Sequence, residues 1–332
     1  MSKLITGGTG FLGSQLAHLL VDRGEDIILF DINPYWNRIK DIKAKVRVIQ
    51  GNLGNWGEVL NVVKEYKPEG IYHLGSMLSL PSQANPWASF QSNVCGTMHV
   101  LEAARLFDVE KVLFTSSFGT YGLGLPQAVT DDTLQRPTSM YGCGKLYCEG
   151  LGRFYQTKFG LDFRTFRSPG LVGPGVSTPG AVQFVSLMLE HAVLGKPYEC
   201  YVTENTCFTP PMYFKDSVRV LDMLYQAPKE NIKTINYNVC GLRKTKSAKE
   251  LEKAIRKYIP QFLVTYKPDR EVVEYLAKYQ ENQTYDDTNA RKEWGWYPLY
   301  EELDGIVEDY IKEVRTRPEF FGITRSVSLA TV

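Results

Sequence analysis

Through the first half of the chain, short apolar runs of strand length alternate with stretches whose apolar residues recur at helical spacing. KLIT is followed by FLGSQLAHLLVDRG, then DIILF, then VRVIQ with NWGEVLNVVKEY, and the runs GIYHL, KVLFTS and LDFRTFR continue the series. Strand, helix and strand in this order predict an α/β fold built on a doubly wound parallel sheet with right-handed crossovers. Leu12, Leu16, Leu19 and Leu20 share one face of the first helix, and Gly24 closes it just before the second strand. After Arg167 the pattern loosens into the Gly/Pro-rich SPGLVGPGVSTPG, followed by a helix near residues 181–194, short strands and charged amphipathic helices. PPMYFKDSVRVLDMLYQ and TINYNVC read as a helix and a strand that rejoin the first unit. The expected division is residues 1–168 with 212–240 in a larger first domain, and 169–211 with 241–332 in a smaller C-terminal α/β domain.

Composition narrows the partners. Lys plus Arg (38) nearly cancel Asp plus Glu (37), so no overall field draws the chain to nucleic acid or to an anionic membrane. No apolar run is long enough to span a bilayer, and the first strand begins at Lys3, which leaves no room for a leader; a cytoplasmic location is expected. The six cysteines form no CxxC pair, and the four histidines show no HExxH spacing, so reduced thiols and no metal are expected.

The first chemistry appears in Thr6-Gly7-Gly8-Thr9-Gly10-Phe11-Leu12-Gly13, between the first strand and its helix. Gly7 permits the tight turn, Gly10 lets a pyrophosphate approach the backbone, and Gly13 lets helix and strand pack closely, while the helix N-terminus favours phosphate. Asp31 ends the second strand, where a carboxylate can bond the adenine ribose hydroxyls. That carboxylate repels a 2′-phosphate, and Ile32 and Asn33 offer no cation, so NAD is expected over NADP, with Arg38 the nearest competing charge.

Tyr141 and Lys145 stand four residues apart on one predicted helix face, where the ammonium would favour the phenolate that proton abstraction requires. A second Tyr225–Lys229 pair is interrupted by Pro228 and reads as coincidence. Ser117 ends the strand KVLFTSS, at the carboxyl edge of the sheet where such folds bind ligands. His73 reads as a satisfied strand-end residue, Cys143 as a packed thiol, and Trp294 and Trp296 as packing residues.

The TGGTGFLG opening, SNVCGT, TSSFGTYG and YGCGK together resemble the extended short-chain dehydrogenase/reductase family, also called the NAD-dependent epimerase/dehydratase family, across essentially the whole chain. The resemblance implies a Rossmann-like nucleotide domain followed by a substrate domain. It implies Tyr141 as general acid/base, Lys145 on the nicotinamide ribose and Ser117 orienting the substrate oxygen. For NAD it implies Gly7, Gly10, Phe11, Leu12 and Gly13 at the pyrophosphate, Asp31 at the ribose, Asn52 and Leu53 at the adenine, Leu74 beyond the fourth strand, and Pro169, Gly170 and Leu171 beside the nicotinamide. Ser79, with Gly180 and Ala181, falls at substrate-contact positions.

Within the family, RPTSMYGCGK, HAVLGKPYECYV, PPMYFKD and DDTNARKEWGW are most similar to short-chain L-threonine 3-dehydrogenases. That branch implies oxidation of a secondary alcohol, a 3-hydroxy amino acid or 3-hydroxy acid, to a 3-keto product. RSPGLVGPG and CFTPPMYFKD lack the Asn and Arg with which nucleotide-sugar members hold a diphosphate. Gly180-Ala181-Val182 stands where threonine dehydrogenases have Gly-Thr-Thr, and KYQENQTYDD lacks their Trp-Pro; Ser177 and Thr178 are the nearby hydroxyls that could substitute. The alternative is an epimerase or dehydratase that retains NAD and acts on a sugar or related polyol. Pairing of the helices in Pro86 to Phe107 and Thr138 to Phe159 with a second copy implies a homodimer.

Overall fold

Alternating apolar residues along the strands sort the core into layers. In β1 (Ser2–Thr6) Leu4 packs on one face of the sheet and Ile5 on the other, and in β2 (Asp26–Asp31) Ile28 and Phe30 are divided from Ile27 and Leu29 in the same way. Strands buried on both faces need helices on both. The computed structural model describes residues 2–176 and 180–323. It completes the sheet with β3 (Val46–Gln50), β4 (Gly70–His73), β5 (Lys111–Ser117), β6 (Asp162–Ser168) and β7 (Asn236–Asn238). All seven strands are parallel, in the order β7-β6-β5-β4-β1-β2-β3. The direction of winding reverses between β1 and β4, so the loops leaving their carboxyl ends diverge and open a crevice.

The helices α1 (Phe11–Asp22), α2 (Trp56–Tyr66), α3 (Gly96–Leu106) and α4 (Met140–Phe159) precede α5 (Phe184–Val193) and α6 (Phe214–Gln226). One face of the sheet is covered by Leu16, Ala17 and Leu20 of α1 with Val220, Leu221 and Leu224 of α6. The other is covered by Val59, Val62 and Val63 of α2, Val100 and Leu101 of α3, and Cys148 and Tyr155 of α4. A π-helical turn, Phe90–Cys95, joins α3 to the short helix Pro86–Ser89, so the predicted segment is helical but not uniformly wound.

A third cluster lies outside the sheet layers. Phe184, Met188 and Leu189 of α5 pack there with Leu251 and Ile255 of α7 (Ala248–Tyr258), Leu276 of α8 (Arg270–Leu276), and Ile306, Val307 and Tyr310 of a later helix. Trp294 of α9 (Thr288–Trp294) and Trp296 instead join the sheet core, beside Tyr237 of β7, as the packing reading expects. That later helix is α10 (Leu303–Thr316). No helix among the described residues is long and apolar enough to cross a membrane, and no group of His, Cys, Asp and Glu could hold a metal.

Candidate active site

The crevice at the carboxyl ends of the strands is a cavity of about 920 Å³, lined by every candidate site residue of the sequence that falls among the described residues. At its floor the glycine turn is closed by sterics. Gly7 has φ of +64°, and a Cβ there would stand 2.8 Å from Gly75 Cα. A Cβ at Gly13 would stand 2.3 Å from the Gly7 carbonyl oxygen, so no side chain fits where helix meets turn. Helix α1 starts at Phe11 with Gly10 as its cap, without a side-chain cap or an acid in its first turn, so its N–H groups stay available to an anion.

Asp31 is anchored rather than free. Its Oδ2 accepts from the Thr9 backbone N–H at 3.0 Å and the Thr9 hydroxyl at 2.7 Å. The Thr9 hydroxyl in turn accepts from the Tyr35 N–H at 3.0 Å, which ties the β2 end to the glycine turn. Arg38, the competing cation, donates to the Gly175 carbonyl at 3.0 Å and lies over the rings of Tyr35 and Phe11. The glycine cradle and the carboxylate at the end of β2 fit a dinucleotide with an unphosphorylated ribose.

At the other end, α4 carries Tyr141 and Lys145. Ser139 caps the helix by accepting from the Gly142 N–H at 3.1 Å, and Gly160 ends it at φ of 75°. The Tyr141 phenol has the hydroxyls of Ser117 and Ser76 as hydrogen-bonding neighbours, yet burial pushes it up to about 12. Lys145 donates to the Thr115 carbonyl at 2.7 Å, and its Nζ lies 5.6 Å from the Tyr141 ring centroid. Burial pulls its ammonium down to about 8. Here the structure differs from the sequence reading: desolvation outweighs any help from the cation, and it is the two serines that favour the phenolate.

The substrate end is mostly neutral. Ser79 Oγ accepts from the Ala181 N–H at 3.4 Å, and the Tyr201 hydroxyl donates to the Gly180 carbonyl at 3.3 Å. Thr209 Oγ1 accepts from the Gly170 N–H at 2.9 Å, beside Pro169 and Leu171. Ser177 and Thr178 lie outside the described residues. Asp31 and Lys145 are the charged residues among those lining the cleft, which leaves a diphosphate substrate no cation but Lys145, already bonded to the Thr115 carbonyl.

Ser76, Thr209, Tyr275 and Tyr279 also line the cleft and were not singled out from sequence. Ser76 stands in the same GSMLS run as Ser79 and could have been found there. Tyr275 and Tyr279 come from α8 and the turn after it, which no motif connects to Tyr141. His73 is buried, with its ring nitrogens bonded to the hydroxyls of Thr6 at 2.7 Å and Thr97 at 3.0 Å, in keeping with a satisfied strand-end histidine. Cys143 departs from expectation. It is exposed, because the helix turns it away from both Tyr141 and the core.

Comparison with known proteins adds four findings. The model of the NAD-dependent epimerase/dehydratase family matches residues 3–240. The mitochondrial L-threonine 3-dehydrogenase of Bos taurus is 30% identical over 297 residues, covering 88% of this chain and 77% of that one. Among solved structures, the GalE-like L-threonine dehydrogenase of Cupriavidus necator superposes with a TM-score of 0.85 at 29% identity, covering 95% of this chain and 100% of that one. A monomeric L-threonine 3-dehydrogenase of metagenomic origin gives 0.84 at 27% identity, covering 94% and 98%.

Proposed function

The chain belongs to the NAD-dependent epimerase/dehydratase family and is an NAD-dependent oxidoreductase; from that premise we propose that it oxidises the 3-hydroxyl of L-threonine to a 3-keto product. The observation that carries this reading is the meeting of Tyr141, Ser117 and Lys145 in a cleft that offers a diphosphate no cation other than Lys145, which is already bonded to the Thr115 carbonyl.

When bound, NAD⁺ supplies the hydride acceptor. The Tyr141 phenolate oxygen takes the proton of the substrate hydroxyl, and the Ser117 hydroxyl orients that oxygen as it becomes a carbonyl. Lys145, held by the Thr115 carbonyl, keeps a positive charge beside the ring and has donors left for a ribose hydroxyl. The residues proposed to hold NAD are Gly7, Gly10, Phe11, Leu12 and Gly13 at the pyrophosphate, Asp31 at the ribose, Asn52 and Leu53 at the adenine side, Leu74 beyond β4, and Pro169 and Leu171 beside the nicotinamide, with Tyr141 and Lys145 also facing the cofactor. Ser79, Gly180 and Ala181 are proposed to contact substrate. The nucleotide domain is proposed to comprise residues 1–168 and 212–240, the substrate domain 169–211 and 241–332.

A homodimer belongs to the proposal. Its support is a run of exposed apolar side chains on neighbouring helices: Trp87, Phe90, Met98, Leu106, Phe154 and Phe159. The monomeric metagenomic relative makes sedimentation the deciding measurement. A cytoplasmic location is proposed on six unpaired cysteines.

The test is to incubate the protein with NAD⁺ and L-threonine, then a panel of 3-hydroxy acids, following NADH, with Tyr141→Phe as control. Tyrosine-dependent turnover of threonine supports the assignment. Turnover of another alcohol alone reassigns the substrate, and silence throughout overturns the dehydrogenase reading.

A further inference from the structure

The wall of the cleft is backed by a lysine that the reaction above does not use. Lys278 follows α8, and its Nζ lies 4.4 Å from the Tyr275 ring centroid and 5.2 Å from that of Tyr279, the two rings that line the cleft with Tyr141. Among the described residues its hydrogen-bond acceptor is the Tyr121 carbonyl, at 3.3 Å, which is long for a charged donor. The Tyr121 carbonyl belongs to a distant loop, so Lys278 does not act by capping the carbonyls of α8. Glu274 of α8 pairs with Arg270 on the exposed side.

A cation taken out of water normally keeps a carboxylate beside it. Lys278 is half-buried and has ring faces rather than a carboxylate beside it; burial, with no charged residue of either sign acting on it, pulls the ammonium down to about 8. At the substrate end of the cleft, Ser76, Ser79, Ser117, Gly180, Ala181 and Thr209 are all neutral, and Lys145 is already bonded to Thr115. A carboxylate entering there meets no cation at the lining except Lys145. Lys278 stands behind two aromatic rings and half out of water, where its charge is screened less than in bulk solvent.

We propose that Lys278 is the electrostatic partner of a substrate carboxylate, so that the cleft selects 3-hydroxy carboxylic acids over neutral secondary alcohols. The proposal rests on the dehydrogenase reading of the same cleft. It also explains how a chain with Ala181 and Val182 in place of two threonines still grips an amino or hydroxy acid: the recognising group comes from the turn after α8 instead of from the loop before α5.

The experiment compares L-threonine with L-threoninamide, which keeps the hydroxyl and the amine and removes the carboxylate. Binding of each is measured by calorimetry with NADH present, and kcat/KM of each with NAD⁺, for the wild type, Lys278→Met and Lys278→Arg. The preference for acid over amide is expected to fall about tenfold or more in Lys278→Met, in binding and in kcat/KM alike, and to return largely in Lys278→Arg. An unchanged preference in Lys278→Met, or a wild type that binds the amide as well as the acid, overturns the proposal. If neither compound reduces NAD⁺, the dehydrogenase reading fails, and calorimetry still decides Lys278: a lysine-dependent acid preference keeps its role, and no preference removes it. Should Lys278→Met not fold, Lys278→Gln serves in its place.

Discussion

The Lys145 ammonium donates to the Thr115 carbonyl oxygen at 2.7 Å, two strand positions before Ser117, so α4 is tied by its own cation to the strand end that presents the serine. Tyr141 sits one turn earlier on that helix and is therefore placed against Ser117 by the same bond. Because burial sets the phenol at about 12, well above neutral pH, the base form is scarce at pH 7. The rate of alcohol oxidation is expected to rise with pH, nearly tenfold per unit at first. The curve then bends as Lys145, pulled down to about 8, begins to lose its charge. A pH–rate profile that is flat or falls between pH 6 and pH 8 contradicts this assignment. Tyr141→Phe is expected to lower kcat by about 10²–10⁴ while leaving NAD⁺ affinity nearly unchanged.

Asp31 has two tasks, one for the fold and one for the cofactor. Asp31→Ser removes the acceptor of the Thr9 N–H and hydroxyl, and the carboxylate proposed to bond the ribose. The expected outcome is a KM for NAD⁺ raised roughly 10–100-fold, the loss of one charged hydrogen bond. Discrimination against NADP⁺ should shrink without reversing, since Arg38 is held by Gly175 and the rings of Tyr35 and Phe11. Cofactor titrations with both dinucleotides check this; a full switch to NADP⁺ would show that Arg38 leaves its site.

How much of this was legible in the sequence follows from the range over which each signal acts. The glycine turn, Asp31, Ser117 and the Tyr141–Lys145 pair announce themselves because strand ends and one helical turn fix their neighbours locally. Tyr275, Tyr279 and Lys278 do not, because only the docking of α8 over the cleft brings them near Tyr141, and no periodicity encodes that docking. The tyrosine's shift was misjudged for a related reason: spacing shows a cation nearby but not the depth of burial, and here depth decides.

His73 gives an acid signature. Its folded pKa is lowered to about 3, chiefly by burial and secondarily by Lys145, against an ordinary value near 6.5. Its contribution to stability is complete above pH 6.5 and is lost as pH falls below it, by up to about 1.4 kcal/mol per unit. Asp131 opposes this, because burial raises it to about 6 and the folded protein takes up its proton first. Melting temperatures from pH 7 to pH 4 are expected to fall in the wild type and to fall less steeply in His73→Gln. Equal slopes in the two proteins would mean that the imidazole is not held neutral by the fold.

Behind Ser117 lies a buried ion pair whose removal separates stability from catalysis. Arg167 of β6 pairs with Glu149 of α4 at 2.9 Å, with both side chains at most 3% exposed, and also donates to the Tyr121 hydroxyl at 2.8 Å. Glu149 accepts from the Ser116 hydroxyl and from the Asn236 amide, and it stands one turn beyond Lys145 on the same helix. Arg167→Met leaves a buried carboxylate without its cation and is expected to cost about 3–5 kcal/mol. The double variant Arg167→Met with Glu149→Met leaves no orphaned charge and is expected to recover most of that loss. Activity is expected not to follow, because Ser116 has then lost the group that holds it, and its neighbour Ser117 is no longer pinned against Tyr141. Thermal denaturation and kcat of the two variants supply the check. If kcat returns together with stability in the double variant, the pair is structural only, and the orientation of Ser117 is set by β5 alone.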